Sequence, residues 1–212
     1  MAYEAFIQNK IDTCVYPQLI PYFQKCLADY KAGLITPGTC NGDKCMCGTC
    51  SCFVGTDLVK MANCSKKEVK LLQKGDVVFG GFKVVAKIEF INTVGTVDLV
   101  SIPAGPTLTP WHPVCIGTRW AHAVQLHDAH PTQCFEVYNF ILDRGHILNV
   151  NAYDCITLGH GYTGDPVLKH PYFGSKRVVE DMKKLPGFAE GHVVIVDAQL
   201  ERDDDGLVSR IF

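Results

Sequence analysis

The sequence has no apolar run approaching the roughly 20 residues that an α-helical membrane span requires. No membrane partner is therefore expected. It also lacks an excess of either charge. Twenty basic residues stand against 22 acidic ones, for a net charge of −2. That balance gives no electrostatic footprint for nucleic acid or an anionic surface, and neither is expected as a partner. The opening residues, MAYEAFIQNKID, lack a basic stretch followed by an apolar core. A secretory signal is thus not expected, and the expected location is intracellular, in the cytoplasm. No internal repeat or low-complexity tract marks a solenoid or a disordered tail.

Cysteine, by contrast, is abundant. Five of the eleven, Cys40, Cys45, Cys47, Cys50 and Cys52, fall within 13 positions. The others, Cys14, Cys26, Cys64, Cys115, Cys134 and Cys155, are scattered. An odd number without an export signal argues against a secreted disulfide scaffold. In a reducing compartment these are buried thiols, metal ligands or nucleophiles. With 47% apolar and 20% charged residues, the chain suffices for one sizeable core and a small appendage.

Residues 1–34 read as helical. Leu19, Tyr22, Phe23, Cys26, Leu27 and Tyr30 recur at three- and four-residue steps and form one apolar stripe. Gly33 suits a left-handed C-terminal cap. Residues 35–51 carry Pro, Gly, Asn and Asp and read as a loop and a boundary. From Cys52 the texture changes. TDLVKM, FKVVAKIEF, TVDLVSI, CFEVYNFIL and HILNV are short, rich in Val, Ile and Phe, and separated by turn residues. QKGDVV reads as a turn feeding a strand. The span from 52 to about 158 is therefore expected to be a compact all-β unit without helix. SKRVVEDMKKLPG then predicts one helix, capped by Ser175 and stopped at Pro186-Gly187. The last segment, GHVVIVDAQLERDDDGLVSRIF, predicts a hairpin across DDDG at 203–206. That tetrapeptide lacks the alternating ligands and distant Glu of a calcium loop.

Three places carry chemistry. Cys52 joins the cysteine-dense segment to the first strand. It is either one zinc ligand beside Cys45, Cys47 and Cys50 or a nucleophile in its own right, and a zinc set of Cys40, Cys45, Cys47 and Cys50 without it is the other metal reading; close cysteine pairs suit structural zinc, but no second matching pair follows. In TLTPWHPVC, Thr109 and His112 form Thr-x-x-His, and Pro110 and Pro113 bracket the imidazole. Proline fixes its own φ and holds the preceding residue extended, which gives the imidazole a rigid mount suited to acid–base work. The third place runs from VYNFIL to LGHG and supplies His146 and His160, each of which could equally be a surface residue. His122, His127 and His130 fit no metal spacing and read as loop residues.

Together, CFVGTDLVKM…GDVV, TPWHPV and VYNFIL…H resemble the Hint superfamily of intein and hedgehog autoprocessing domains over about residues 52–160. With LGHGYTGDPVLKHPYFGSKRVVEDM, the resemblance narrows to the Vint domain. It implies a mainly β, horseshoe-like, pseudo-two-fold Hint fold. An N-terminal helical, cysteine-rich flank (1–51) precedes the Hint domain (52–160), and a C-terminal extension of the Vint type (161–212) follows it.

The resemblance also implies site residues. Cys52 falls on the nucleophile that opens the domain. Thr109 and His112 fall on the Thr and His of the second motif block. His146 falls near the histidine of the penultimate block, and His160 matches the one preceding the terminal asparagine of inteins. Asn139 stands where many inteins have aspartate. Gly161, not Asn, follows His160, so the downstream half of splicing is not expected. The implied reaction is an N–S acyl shift at the Ser51–Cys52 bond, a single-turnover self-processing event. His112 would protonate the leaving nitrogen, Thr109 would hold His112 or polarise the Ser51 carbonyl, and His160 or solvent would generate the thiolate. The substrate is the protein's own N-terminal flank. The resolving nucleophile is water, a thiol or an amine, and no cofactor is expected. The alternatives are a non-catalytic, cysteine-rich and zinc-binding Hint-like interaction module, or a Cys–His hydrolase acting on an external substrate.

Overall fold

A computed structural model of the chain describes residues 2–13, 20–33, 51–93, 95–196, 199–204 and 207–212. Cys14 and the proposed zinc ligands Cys40, Cys45, Cys47 and Cys50 lie outside the described residues. Two helices come first, α1 (Ala2–Thr13) and α2 (Ile20–Lys31). Nine strands follow: β1 (Phe53–Val54), β2 (Leu58–Lys60), β3 (Lys66–Glu68), β4 (Val77–Val78), β5 (Phe82–Ile91), β6 (Thr96–Ser101), β7 (Thr107–Leu108), β8 (Pro113–Ile116) and β9 (Arg119–His122). Then come β10 (His130–Gln133), β11 (Glu136–Leu142), β12 (Ile147–Val150) and β13 (Tyr153–Ile156). The chain closes with α3 (Lys176–Met182), β14 (His192–Val196), β15 (Leu200–Arg202) and β16 (Val208–Ile211).

The strands form two large sheets. One runs β10-β6-β7-β1-β11-β5-β14, with β4 also on β5; the other runs β3-β2-β12-β13-β8-β9. The mainly β expectation is met. The alternation in FKVVAKIEF becomes the long strand β5, whose last four residues are buried on both faces because β11 and β14 flank it and helices cover it. Two 3-10 turns, Val69–Leu71 and Ala123–Gln125, interrupt the otherwise helix-free β region. His122 and His130 are not loop residues. His122 ends β9, and His130 starts the fully exposed edge strand β10.

Ser175 caps α3 as its sequence suggests: its hydroxyl accepts from the Arg177 N–H at 3.3 Å. The helix ends at Met182, before Pro186. The C-terminal segment divides in a way its pattern did not announce. Strand β14 pairs in parallel with β5, Val193 opposite Ile88, and the hairpin comprises β15 and β16 alone. Parallel pairing needs a crossover, and the segment holding α3 supplies it. Residues 161–212 thereby share a core with the β unit. Tyr172, Phe173, Val178, Met182, Val193, Ile195, Val208 and Ile211 pack with Cys52, Ala86, Ile88 and Phe90.

The N-terminal helices pack on the same body. Tyr3, Ile7, Phe23 and Leu27 are buried against Ile91 of β5 and Val196 of β14. Phe23, Leu27 and Tyr30 of the stripe read from the sequence therefore form a docking face, while Leu19 and the Tyr22 side chain lie outside the described residues.

Candidate functional site

Strand register assembles the site. Strand β1 is only two residues long, yet it lies between β7 and β11. Phe53 stands opposite Leu108 on one side and Tyr138 on the other. One residue back in antiparallel register, Cys52 is level with Thr109 and Asn139. Both side chains are fully buried, as is Cys52.

The Ser51–Cys52 peptide is held from both ends. Its N–H, on Cys52, donates to Thr109 Oγ1 at 2.8 Å. Its carbonyl oxygen, on Ser51, accepts from Asn139 Nδ2. The Asn139 amide is oriented by its other end, because Oδ1 accepts from the Phe140 N–H at 2.7 Å. That bond requires oxygen on one side and leaves NH2 facing Ser51. The Thr109 N–H donates to the Cys52 carbonyl at 3.0 Å. The sequence offered Thr109 two tasks, holding His112 or polarising the Ser51 carbonyl. Its hydroxyl instead holds the nitrogen of that bond, and Asn139 holds the carbonyl. The Thr109 backbone carbonyl does accept from the His112 N–H at 3.1 Å, so the tight turn at Pro110 ties the two residues together.

His112 is fully buried and packs 4.3 Å from the Phe53 ring. Its Nε2 lies 3.1 Å from the Ile156 carbonyl, an acceptor, so that nitrogen carries the hydrogen. Nδ1 has no partner at hydrogen-bond geometry. Burial pushes the imidazole pKa down to about 3, although the nearby Ile156 and Cys52 backbones favour the charged form. His112 is thus neutral at pH 7, with an open lone pair on Nδ1.

Ser51 and Asn139 also line a cleft of about 390 Å3. Its far wall comes from residues 166–174 and its near wall from Trp111, Pro113 and His122. His122 braces Trp111, with Nδ1 donating to the Trp111 carbonyl at 3.0 Å and the rings edge-on at 5.3 Å. His160 lines the cleft as well. Its Nδ1 accepts from the Tyr162 N–H at 3.0 Å, so the neutral ring keeps its hydrogen on Nε2. Burial first, and then the neighbouring His146 and His170, push its pKa down to about 4. In this form His160 offers a hydrogen-bond donor and not the base suggested by the sequence. Gly174 lies against it: a Cβ there would come within 2.8 Å of the His170 carbonyl and 3.1 Å of His160 Nε2.

His146 does not line the cleft. It sits in a turn at φ 51°, and its carbonyl accepts from the Thr157 N–H at 2.9 Å. Burial lowers its pKa too. Among the sequence-derived residues, the structure brings Cys52, Thr109 and His112 together around one peptide, sets His160 on the adjoining cleft, and leaves His146 out of the cleft lining. The sequence missed the tasks of Asn139, His122 and the 166–174 wall. Asn139 was visible as a departure from aspartate; the others had no local signal.

Among the described residues, no group of three His, Cys, Asp or Glu side chains could hold a metal ion. None of the described helices is long and apolar enough to cross a membrane. A family profile, Vint, described as a Hint-domain, matches residues 51–209. A search of curated proteins returned no match.

Proposed function

The chain belongs to the Vint family of Hint domains, an autoprocessing-type family, and from that premise we propose that it cuts its own backbone at Ser51–Cys52 by an N–S acyl shift. The observation that carries the reading is the double grip on that one peptide, Asn139 on its carbonyl oxygen and Thr109 on its N–H.

The Cys52 thiol adds to the Ser51 carbonyl carbon, and negative charge develops on the carbonyl oxygen. Asn139 Nδ2 already points at that oxygen, a preorganised donor that needs no rearrangement as charge grows. The thiol proton passes to His112 Nδ1. The carbon–nitrogen bond then breaks, and the same proton moves to the Cys52 nitrogen. A neutral imidazole with a depressed pKa is a weak base but, once protonated, a strong acid. It therefore gives the proton to the leaving nitrogen readily. Thr109 Oγ1 fixes the direction of that nitrogen's hydrogen and hence of its lone pair. The products are a Ser51 thioester on Cys52 Sγ and a free α-amine.

Water, a thiol or an amine then attacks the thioester. The Ser51 side of the bond faces the 390 Å3 cleft, which gives such a nucleophile a way in. His160 Nε2–H supplies a second donor there. Gly161 in place of a terminal asparagine supports cleavage without full splicing. The burial of Cys52 weighs against a hydrolase for external substrates, because the sulfur is not accessible to one.

Cys52→Ala tests the reading. It should abolish cleavage and leave a cooperative fold, since it removes the nucleophile and little packing. Metal analysis of the wild type and of Cys52→Ala addresses the zinc alternative. Loss of bound zinc and of stability together in Cys52→Ala would support the interaction module instead.

A further inference from the structure

The contacts that hold α1 and α2 to the β body are of the kind found inside a domain. Tyr3, Ile7 and Phe23 are at most 3% exposed, and they meet Ile91 and Val196. The Phe6 ring stacks on Phe135, with centroids 4.5 Å apart and an interplanar angle of 18°. At the edge of this apolar patch Lys10 enters an acidic pair. Its ammonium bonds Glu89 Oε1 of β5 at 2.7 Å and also Glu136 of β11. The Glu89 side chain is only 7% exposed, and its other oxygen lies 2.8 Å from His192 Nε2. Glu136 in turn accepts from Tyr138 Oη at 2.7 Å. One lysine thus bridges two carboxylates on neighbouring strands.

None of these contacts passes through the Ser51–Cys52 bond. We propose that the N-terminal helices stay docked after that bond is cut, so that processing converts one chain into a tight complex of two and does not release the flank. The occupant of the docking face is the protein's own pair of helices, α1 and α2, recognised by a stacked phenylalanine and a lysine set between two carboxylates. This inference rests on the Ser51–Cys52 reading for its occasion, but its geometry is independent of it. The backbone contributes only a tether, equivalent to an effective concentration on the order of 1 mM. Retention at micromolar concentration therefore requires the contacts themselves to hold.

The test uses the full chain carrying Cys52→Ala, so that no self-cleavage intervenes. A site-specific protease sequence flanked by Gly-Ser linkers is inserted between residues 33 and 51, and cutting is followed on a denaturing gel. At about 1 µM, a thousandfold below that effective concentration, size-exclusion chromatography should show both pieces in one peak. They should separate only in denaturant. Adding Phe6→Asp and Lys10→Glu should split the peak, and Lys10→Glu alone should weaken association at least tenfold. Separation of the unsubstituted pieces would overturn the inference. So would undiminished binding in the double variant, since the docking face would then not be this one. A wild-type chain that never cuts itself would strike the Ser51–Cys52 reading alone, because the protease-cut chain judges docking by itself.

Discussion

Asn139 shows how one atom changes the role of a residue. An aspartate at its position would accept protons; the amide donates, and the Phe140 N–H fixes which end faces Ser51. Asn139→Ala should slow cleavage about 10²–10³-fold, the usual cost of losing one oxyanion donor. Asn139→Asp should be slower still, because it sets a carboxylate beside a developing oxyanion. Time courses on denaturing gels would read both. Cys52, Thr109 and His112 were legible in the sequence as candidates, through the joint resemblance of CFVGTDLVKM and TPWHPV to Hint motifs and not from either stretch alone. The task of Asn139 was not, because it depends on the register between β1 and β11, which no local pattern encodes.

The histidines carry a pH signature. The His112 pKa falls to about 3 and that of His160 to about 4, and His146 is lowered as well. Unfolded histidine titrates near about 6.5. Between those values the unfolded chain binds more protons, so stability should fall as pH drops below about 6.5. Asp57 opposes this. Burial raises its pKa to about 6, so the folded state takes up a proton first and gains stability as pH falls toward 4. Glu89 behaves differently. Burial alone would raise it, but His192 and Lys10 hold it down to about 2. Its contribution is present above the unfolded carboxylate value and disappears only as pH falls from about 4.5 toward 2. Thermal melts of wild type and His112→Gln between pH 7 and 4.5 should separate these effects. The wild type should lose stability toward acid with a slope of up to about 1.4 kcal/mol per pH unit for each such histidine, and the variant with one such contribution fewer. Parallel curves would contradict a neutral, buried His112.

At the scale of elements, local signals were reliable and partners were not. The alternation in FKVVAKIEF and CFEVYNFIL specified β5 and β11, and Ser175 specified the start of α3. Strand β14 was also visible as a strand, but its parallel pairing with β5 was not, because HVVIV fits either direction. The apolar stripe of α2 announced that something would cover it without saying what. In the fold Tyr3 and Ile7 of α1 with Ile91 and Val196 cover it, and Lys10 pins α1 at the edge of the patch. Lys10→Ala should destabilise the chain by about 3 kcal/mol, the lower range for a broken buried pair, since Glu89 keeps His192 as a partner. A denaturant titration would measure it. Ser175→Ala, which removes one cap from the seven-residue α3, should cost about 1 kcal/mol.

For the whole molecule, the C-terminal segment is part of the body that presents the site. Residues 166–174 wall the cleft at Ser51, and Val178, Met182, Val193 and Ile195 fill the core around Cys52. A chain ending at residue 160 should therefore lose cooperative unfolding and bind a hydrophobic dye. A sharp melt in that truncation would show that the segment is dispensable.

The most direct measurement is intact-mass spectrometry of the folded wild-type chain held with a small thiol such as dithiothreitol. The account predicts two new masses, residues 1–51 ending in a thioester or acid and residues 52–212 with a free N-terminal cysteine, and neither from Cys52→Ala. A wild-type chain that stays intact for days while its native fold persists, or one that is cut at any other bond, would contradict it.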